Sequence, residues 1–236
     1  MIDNGNVTVT GAVAPSTNVA DALAVLAPIP TVVLADCLKQ MGIWHFSAPC
    51  SIVTGRATRF IGPARTMRFL PTRNHTAVGG EDVTHMGAIE ASSRGEVLLI
   101  DGNGGARAFW GSNATRMAQL QGVAGVIIDG YTRDSVQSSE IDVPVMARGL
   151  CPSSFHGEYD LVGINQPIDC FGAVVFSGDI IAADIDGFVV IPDGTVDAVV
   201  ARASRVLSDE EFIANAISSG IPAEAMIRQL DARRSS

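Results

Sequence analysis

The sequence predicts an α/β fold, and three stretches carry that expectation. In residues 111–134, Ala114, Met117, Ala118 and Gln121 recur at helical spacing, and Gly122 sits where a left-handed residue ends a helix. Residues 123–128 then form a β-branched run that is apolar on both faces, as a fully covered strand requires. Residues 95–102 repeat the theme as a turn, a buried strand and a sharp exit at Asp101-Gly102. Residues 173–192 read as strand, turn, strand, Asp186-Gly187 turn, strand. Turn chemistry of that kind predicts a β-meander.

Composition narrows the class. The chain has 236 residues, 47% of them hydrophobic and 17% charged, which suits one large packed domain and not a disordered chain. The net charge of −9 comes without a basic stripe, so a nucleic-acid backbone is not expected as a partner. No apolar run reaches the ~18 residues of a membrane span, and the first 20 residues lack a signal-peptide pattern. Cys37, Cys50, Cys151 and Cys170 form no CxxC pair and are expected as free thiols, suited to a reducing cytoplasm.

Taken in order, residues 1–18 read as a loose N-terminal arm, 19–227 as a single domain and 228–236 as a frayed tail. An alanine- and leucine-rich helix over 19–26 is stopped by Pro28 and Pro30, and Thr31 is expected to cap the next helix, which ends at Gly42. Residues 50–70 predict two strands with a bend at Gly62-Pro63, their arginines 56, 59, 65 and 68 pointing outward. A surface loop is expected at 71–82 and a short helix with His85 at 83–92. Ser112 is expected to cap the helix of the first stretch. Residues 135–141 read as loop, 142–147 as a strand starting near Pro144, and 161–164 and 168–171 as strands. Apolar spacing at Val196, Val199, Val200, Ala203 and Val206 predicts a helix over 193–207, with a second over 208–218.

The chemistry-bearing residues are few. Gly102-Asn103-Gly104-Gly105 lacks the Gly-Lys-Ser/Thr of a P-loop, and no GxGxxG fingerprint follows a strand, so no nucleotide cofactor is indicated. His75, His85 and His156 form neither HxH nor HExxH; His85 could still line a pocket. A Schiff base would have to rest on Lys39, the chain's one lysine. Arg133-Asp134, directly after the buried strand, offers instead an acid for a cation and a guanidinium for an oxyanion.

Residues 122–134, Gly-Val-Ala-Gly-Val-Ile-Ile-Asp-Gly-Tyr-Thr-Arg-Asp, resemble the RraA-like family of class II 4-hydroxy-4-methyl-2-oxoglutarate/4-carboxy-4-hydroxy-2-oxoadipate aldolases and ribonuclease E regulators. Four further blocks match in order: Ala35-Asp36-Cys37-Leu38 with Gly42, Gly62-Pro63-Ala64-Arg65-Thr66, residues 95–101 and residues 177–187. The resemblance covers about residues 30–225.

It implies an α/β/α sandwich of the swivelling β/β/α type, assembled as a homotrimer or homohexamer with the active site at a subunit interface. By the same resemblance Arg133 would hold the 2-keto oxygen and stabilise a pyruvate enolate. Asp134 would ligate Mg²⁺ or Mn²⁺, aided by Glu210 or Glu211 from a neighbouring subunit. Backbone groups over Gly111, Ser112, Asn113 and Ala114 would hold the substrate carboxylate at the helix start. Ser112 departs from the pattern, because the aldolases carry an acid there and a hard cation prefers charge. Asp101 and Asp129 are the nearest acids that could replace it. The expected function is therefore a divalent-metal-dependent lyase of short 2-keto acids, by retro-aldol cleavage or decarboxylation. The alternative is a non-catalytic regulator that binds an RNA-degradation enzyme.

Overall fold

The computed structural model describes residues 19–44, 50–72 and 83–235. The expected arm at 1–18 and most of the expected loop at 71–82, including His75, lie outside the described residues. The first half of the chain runs α1 (Val19–Leu26), α2 (Thr31–Gln40), β1 (Ser51–Thr54), β2 (Phe60–Pro71), α3 (Val83–Glu90), β3 (Val97–Asp101), β4 (Ala108–Trp110), α4 (Ser112–Gln121) and β5 (Gly125–Thr132). The second half runs α5 (Ser135–Ser138), β6 (Val145–Leu150), β7 (Tyr159–Ile164), β8 (Ile168–Cys170), β9 (Ala173–Val175), β10 (Ile180–Asp184), β11 (Gly187–Ile191), α6 (Val196–Ser218) and α7 (Ala223–Ser235).

Among the described residues a nine-stranded sheet carries the path β1-β6-β5-β3-β2-β10-β11, with β4 added to β5 and β7 to β2. Period-two alternation sorts its side chains. Leu98, Ile100, Val126, Ile128 and Val145 face one core with Ala88 and Ile89 of α3 and Ala114 and Ala118 of α4. Their neighbours Val97, Leu99, Ile127 and Met146 face a second core, closed by Ile181, Ala183, Phe188 and Val190 of the β10–β11 hairpin and by β8–β9. The other face of that hairpin, Ile180, Ala182, Val189 and Ile191, packs on α1, α2 and α6. The nine-stranded sheet therefore curls so that its β10–β11 end lies over β3, β5 and β6, with helices covering it on both outer faces, a mixed α/β architecture as expected.

Several local expectations are corrected. Gly62-Pro63 does not separate two strands, since β2 continues through it, pairing with β10 before that point and with β3 after it. A Cβ on residue 62 would lie 1.9 Å from the Gly95 carbonyl oxygen, so the glycine answers a close approach and not a turn. The ladder resumes beyond Pro63, where Ala64 N–H donates to the Asp179 carbonyl at 2.7 Å and Gly178 N–H to the Ala64 carbonyl at 2.9 Å. The meander is also broken: β9 pairs back with β8, because residues 60–63 of β2 occupy the free edge of β10. Arg65 is largely buried, facing Glu96 at 4.0 Å, whereas Arg56 and Arg68 do point outward.

Helix ends differ as well. Thr31 is the first residue of α2 and caps nothing; its N–H and hydroxyl donate to the Asp184 carboxylate at 2.9 and 2.6 Å. Ser112 likewise opens α4, with Gly111 at the N-cap, while Gly122 ends it in the left-handed conformation as expected. Residues 135–138 form a single helical turn. No glycine or proline interrupts residues 196–218, so α6 is one helix through Ser208. The expected tail is largely helical: α7 packs on α6 and places Arg234 2.8 Å from buried Asp209. Among the described residues no single helix is long and apolar enough to cross a membrane.

Candidate active site

The site grows from the parallel ladder between β4 and β5. Ala108 pairs with Tyr131 and Trp110 with Thr132, and Arg133 N–H donates to the Trp110 carbonyl at 3.0 Å. That ladder sets the start of α4 beside the residues that leave β5. Three bonds lock the junction. The Trp110 indole N–H donates to Thr115 Oγ1 at 2.9 Å, Thr115 Oγ1 donates to the Gly111 carbonyl at 3.0 Å, and Thr132 Oγ1 donates to the Trp110 carbonyl at 3.3 Å.

Asp134 adopts φ 58° and ψ 40°, a left-handed backbone that costs a residue with a Cβ about 1–3 kcal/mol. It stands at the N-cap of α5 without capping it. Its carboxylate turns instead to α4, where Oδ2 accepts from Ser112 N–H at 3.2 Å and from Ser112 Oγ at 3.3 Å. Arg133 Nε lies 3.9 Å from the same oxygen, with both side chains about 40% exposed. Space for this arrangement depends on Gly111, whose Cβ would meet Asp134 Oδ2 at 2.7 Å.

Gly111, Asn113, Ala114, Arg133 and Asp134 line one cleft of about 100 Å³. Five of the residues read from the sequence are thus brought together. Ser112 is not on the wall; it braces Asp134 from behind. Glu210 and Glu211 lie exposed on α6 and do not line the cleft of this chain. His85 does line it, buried edge-on against Trp110 and Phe155.

Sequence reasoning missed the rest of the lining. Met86 of α3 borders the cleft, and behind it the buried rings of Phe109, Trp110 and Phe155 form an aromatic wall, with Phe109 stacked on Phe155 at 5.4 Å. Ser154 Oγ and His156 Nδ1 share a hydrogen bond at the same cleft. The Ala108-Phe109-Trp110 triplet was the available signal: three large or apolar residues just before the helix start mark a short buried strand.

Neither acid proposed as a substitute for Ser112 reaches this cleft. Asp101 accepts from Asn103 N–H at 2.8 Å and lies 3.7 Å from Arg68; burial pushes its carboxyl up from the usual range. Asp129 accepts from Phe171 N–H at 2.8 Å and pairs with Arg148. Both line a separate cleft with Asp169. They are held there by β3 and β5, whose register places Asp101 beside Asp129.

Among the described residues no cluster of three histidines, cysteines or acids could cage a metal. Asp134 is the one carboxylate among the described lining residues, with Oδ1 outside the Ser112 bonds. A Mg²⁺-type ion keeps several waters and needs only one or two carboxylates. The donor set therefore fits such an ion held through Asp134 and water, and does not fit an all-protein cage.

Comparison with known proteins agrees with this architecture. The RraA-like family model, described as Aldolase/RraA, matches residues 17–190. A Halalkalibacterium halodurans protein with the provisional name 4-hydroxy-4-methyl-2-oxoglutarate aldolase is 30% identical over 196 residues, covering 83% of this chain and 88% of its own. The crystal structure of an uncharacterized Pseudomonas syringae pv. tomato protein is 26% identical with a TM-score of 0.75, over 88% of this chain and 96% of that one. Streptomyces coelicolor RraAS2, described as an unusual member of the RNase ES inhibitor RraA protein family, is 26% identical with a TM-score of 0.72, over 81% and 94%. By model match, sequence and fold alike, the chain belongs to the RraA-like family.

Proposed function

We propose that the protein is a divalent-metal-dependent lyase that releases pyruvate from a short 2-keto acid. The observation that carries this reading is the convergence of Arg133, Asp134 and the start of α4 on one cleft. The first N–H groups of a helix lack intrahelical acceptors, so those of Asn113 and Ala114 can hold the substrate carboxylate. The Arg133 guanidinium holds the 2-keto oxygen and stabilises the negative charge that develops there. In a retro-aldol step the 4-hydroxyl loses its proton and the C3–C4 bond breaks. Its electron pair passes to C3 as the enolate, which takes up a proton to give pyruvate. His156, with Nδ1 tied to Ser154 and Nε2 outside that bond, is the group we assign to the 4-hydroxyl proton.

Asp134 would hold Mg²⁺ or Mn²⁺, which when bound supplies Lewis-acid polarisation of the keto group. Ser112 fixes Asp134 Oδ2, replacing the charge of a second acid with a positional constraint. The proposal includes a homotrimer or homohexamer in which Glu210 or Glu211 reaches the metal from a neighbouring copy, and action in the cytoplasm. The test is pyruvate release from oxaloacetate and from a panel of 4-hydroxy-2-oxo acids, with Mg²⁺ or Mn²⁺ and after EDTA. Metal-dependent turnover is expected, lost in Asp134→Ala and lowered about 10²–10³-fold in Arg133→Ala. Full activity in Asp134→Ala would overturn the reading.

A second reading is favoured by the likeness to RraAS2: a non-catalytic regulator of an RNA-degradation enzyme. Stoichiometric binding to such an enzyme in calorimetry, together with no lyase turnover, would select it.

A further inference from the structure

β4 has hydrogen-bonded neighbours on both edges, and each brings side chains to the cleft. On one edge lies β5, followed by Arg133 and Asp134. On the other, Ala108 N–H donates to the Ser153 carbonyl at 2.8 Å and Phe155 N–H to the Ala108 carbonyl at 3.1 Å. This parallel bridge between Ala108 and Ser154 fixes the backbone soon after β6. Side chains alternate in direction along an extended chain. Phe155 accordingly turns into the core, while Ser154 and His156 on either side of it line the cleft.

The imidazole of His156 is held in two ways. Its ring stacks on Phe155 with centroids 4.2 Å apart and planes 26° apart, and Phe155 is itself packed against Phe69 and Phe109 at 5.0 and 5.4 Å. Its Nδ1 shares a hydrogen bond with Ser154 Oγ, and the His156 backbone N–H donates to the same oxygen at 3.4 Å. A neutral imidazole carries its proton on one nitrogen only, so the sense of the bond decides which. If the hydroxyl donated to Nδ1, Nε2 would hold the proton and could only donate. If the hydroxyl accepts from Nδ1–H, Nε2 keeps a lone pair. A serine oxygen has two lone pairs, enough for both His156 donors. Of the two arrangements, only this one survives protonation of Nε2 unchanged.

From this we propose that Ser154 is a positioning residue: its hydroxyl accepts from Nδ1–H and holds His156 in that tautomer, with the Nε2 lone pair available as a base. What Nε2 does rests on the lyase reading, in which it takes the 4-hydroxyl proton. The resulting imidazolium keeps its Nδ1–H bond to Ser154, so no protein group has to turn as the proton moves. The tautomer itself does not depend on that reading.

The test reads the tautomer directly. Long-range ¹H–¹⁵N spectra of the Mg²⁺-loaded protein, labelled at its four histidines, are recorded about two pH units above the ordinary histidine pKa of ~6.5. His156→Gln identifies the signal. His156 is expected with a protonated Nδ1 and an unprotonated Nε2. Ser154→Ala is expected to shift the population toward Nε2–H, the tautomer favoured by free histidine, and Ser154→Thr to restore Nδ1–H. An Nε2–H tautomer in the unaltered protein overturns the inference, and so does an Nδ1–H tautomer that persists in Ser154→Ala. In pyruvate-release assays Ser154→Ala is expected to lower kcat roughly tenfold or more with KM little changed, as misplacing a general base does, and Ser154→Thr to recover it. A shifted tautomer with unaltered kcat overturns the positioning role. Full turnover in His156→Gln strikes the base assignment, and no turnover in the unaltered protein strikes the lyase reading; the spectra decide the tautomer in either case.

Discussion

At the scale of single residues, position matters more than charge count. Gly111 has an extended backbone that any residue could adopt, yet a Cβ there would press on Asp134 Oδ2 at 2.7 Å. Gly111→Ala is therefore expected to leave the melting temperature within a few degrees and to lower kcat roughly tenfold or more, since small misplacements of a catalytic group are costly. Circular dichroism melts and steady-state kinetics check the two halves. Asp184 is the second case. Burial works upward on its pKa, but bonds from the Thr31 hydroxyl and N–H, the Asp186 N–H and nearby Arg59 outweigh it, so the carboxyl sits below its usual range. Its stabilisation is full above the unfolded pKa of ~3.9 and is lost as pH falls through the lower folded value. Asp184→Ala should cost about 1 kcal/mol near neutral pH, as loss of a helix cap does. The difference from the unaltered protein should shrink in urea titrations taken at progressively lower pH.

At the scale of elements, the sequence was most readable where a single period ran uninterrupted. The strand before Arg133-Asp134, the α4 stop at Gly122 and the β10–β11 hairpin were all legible from local pattern. What escaped depends on partners distant in sequence. Whether the strand ends or continues at Gly62-Pro63 is decided by Gly95 and Asp179, and whether β9 meets β10 is decided by β2. The break expected at Ser208 failed for a local reason, because residues 196–218 hold no glycine or proline to stop the helix. In the site, Arg133 and Asp134 were legible because they are adjacent to a strong strand. The aromatic wall was not, since Met86, Phe109 and Phe155 come from three separated segments. Gly62→Ala is expected to destabilise the protein by about 3 kcal/mol, because the clash is with backbone and overpacking cannot be relieved by a rotamer change. Its midpoint in urea should fall accordingly.

At the scale of the whole molecule, the three cores bury the thiols unevenly. Cys37 and Cys170 are fully buried and Cys50 nearly so, while Cys151 is half-buried beside the Ala106 and Ser153 carbonyls. Burial first, and then the Asp129 charge, pushes the Cys50 thiol up to about 12; Cys37 and Cys170 are raised by the same desolvation. A raised pKa leaves little thiolate, which is the reactive form. The native protein at pH 8 should therefore show one fast thiol toward a disulfide reagent, removed by Cys151→Ser, and four after denaturation. Three fast thiols in the native state would contradict this packing.

The shared strand β2 has a further bearing on how such a protein can be taken apart. Phe60 and Ala64 belong to the core under the β10–β11 hairpin, while Met67 and Phe69 belong to the core under α3 and α4. One backbone thus runs across both, and cutting it leaves each half without a wall. A split reporter made from this scaffold would reassemble poorly from fragments divided between residues 60 and 71. The turn at Asn103-Gly104, exposed and outside all three cores, is the place where the chain would tolerate a nick or a grafted peptide.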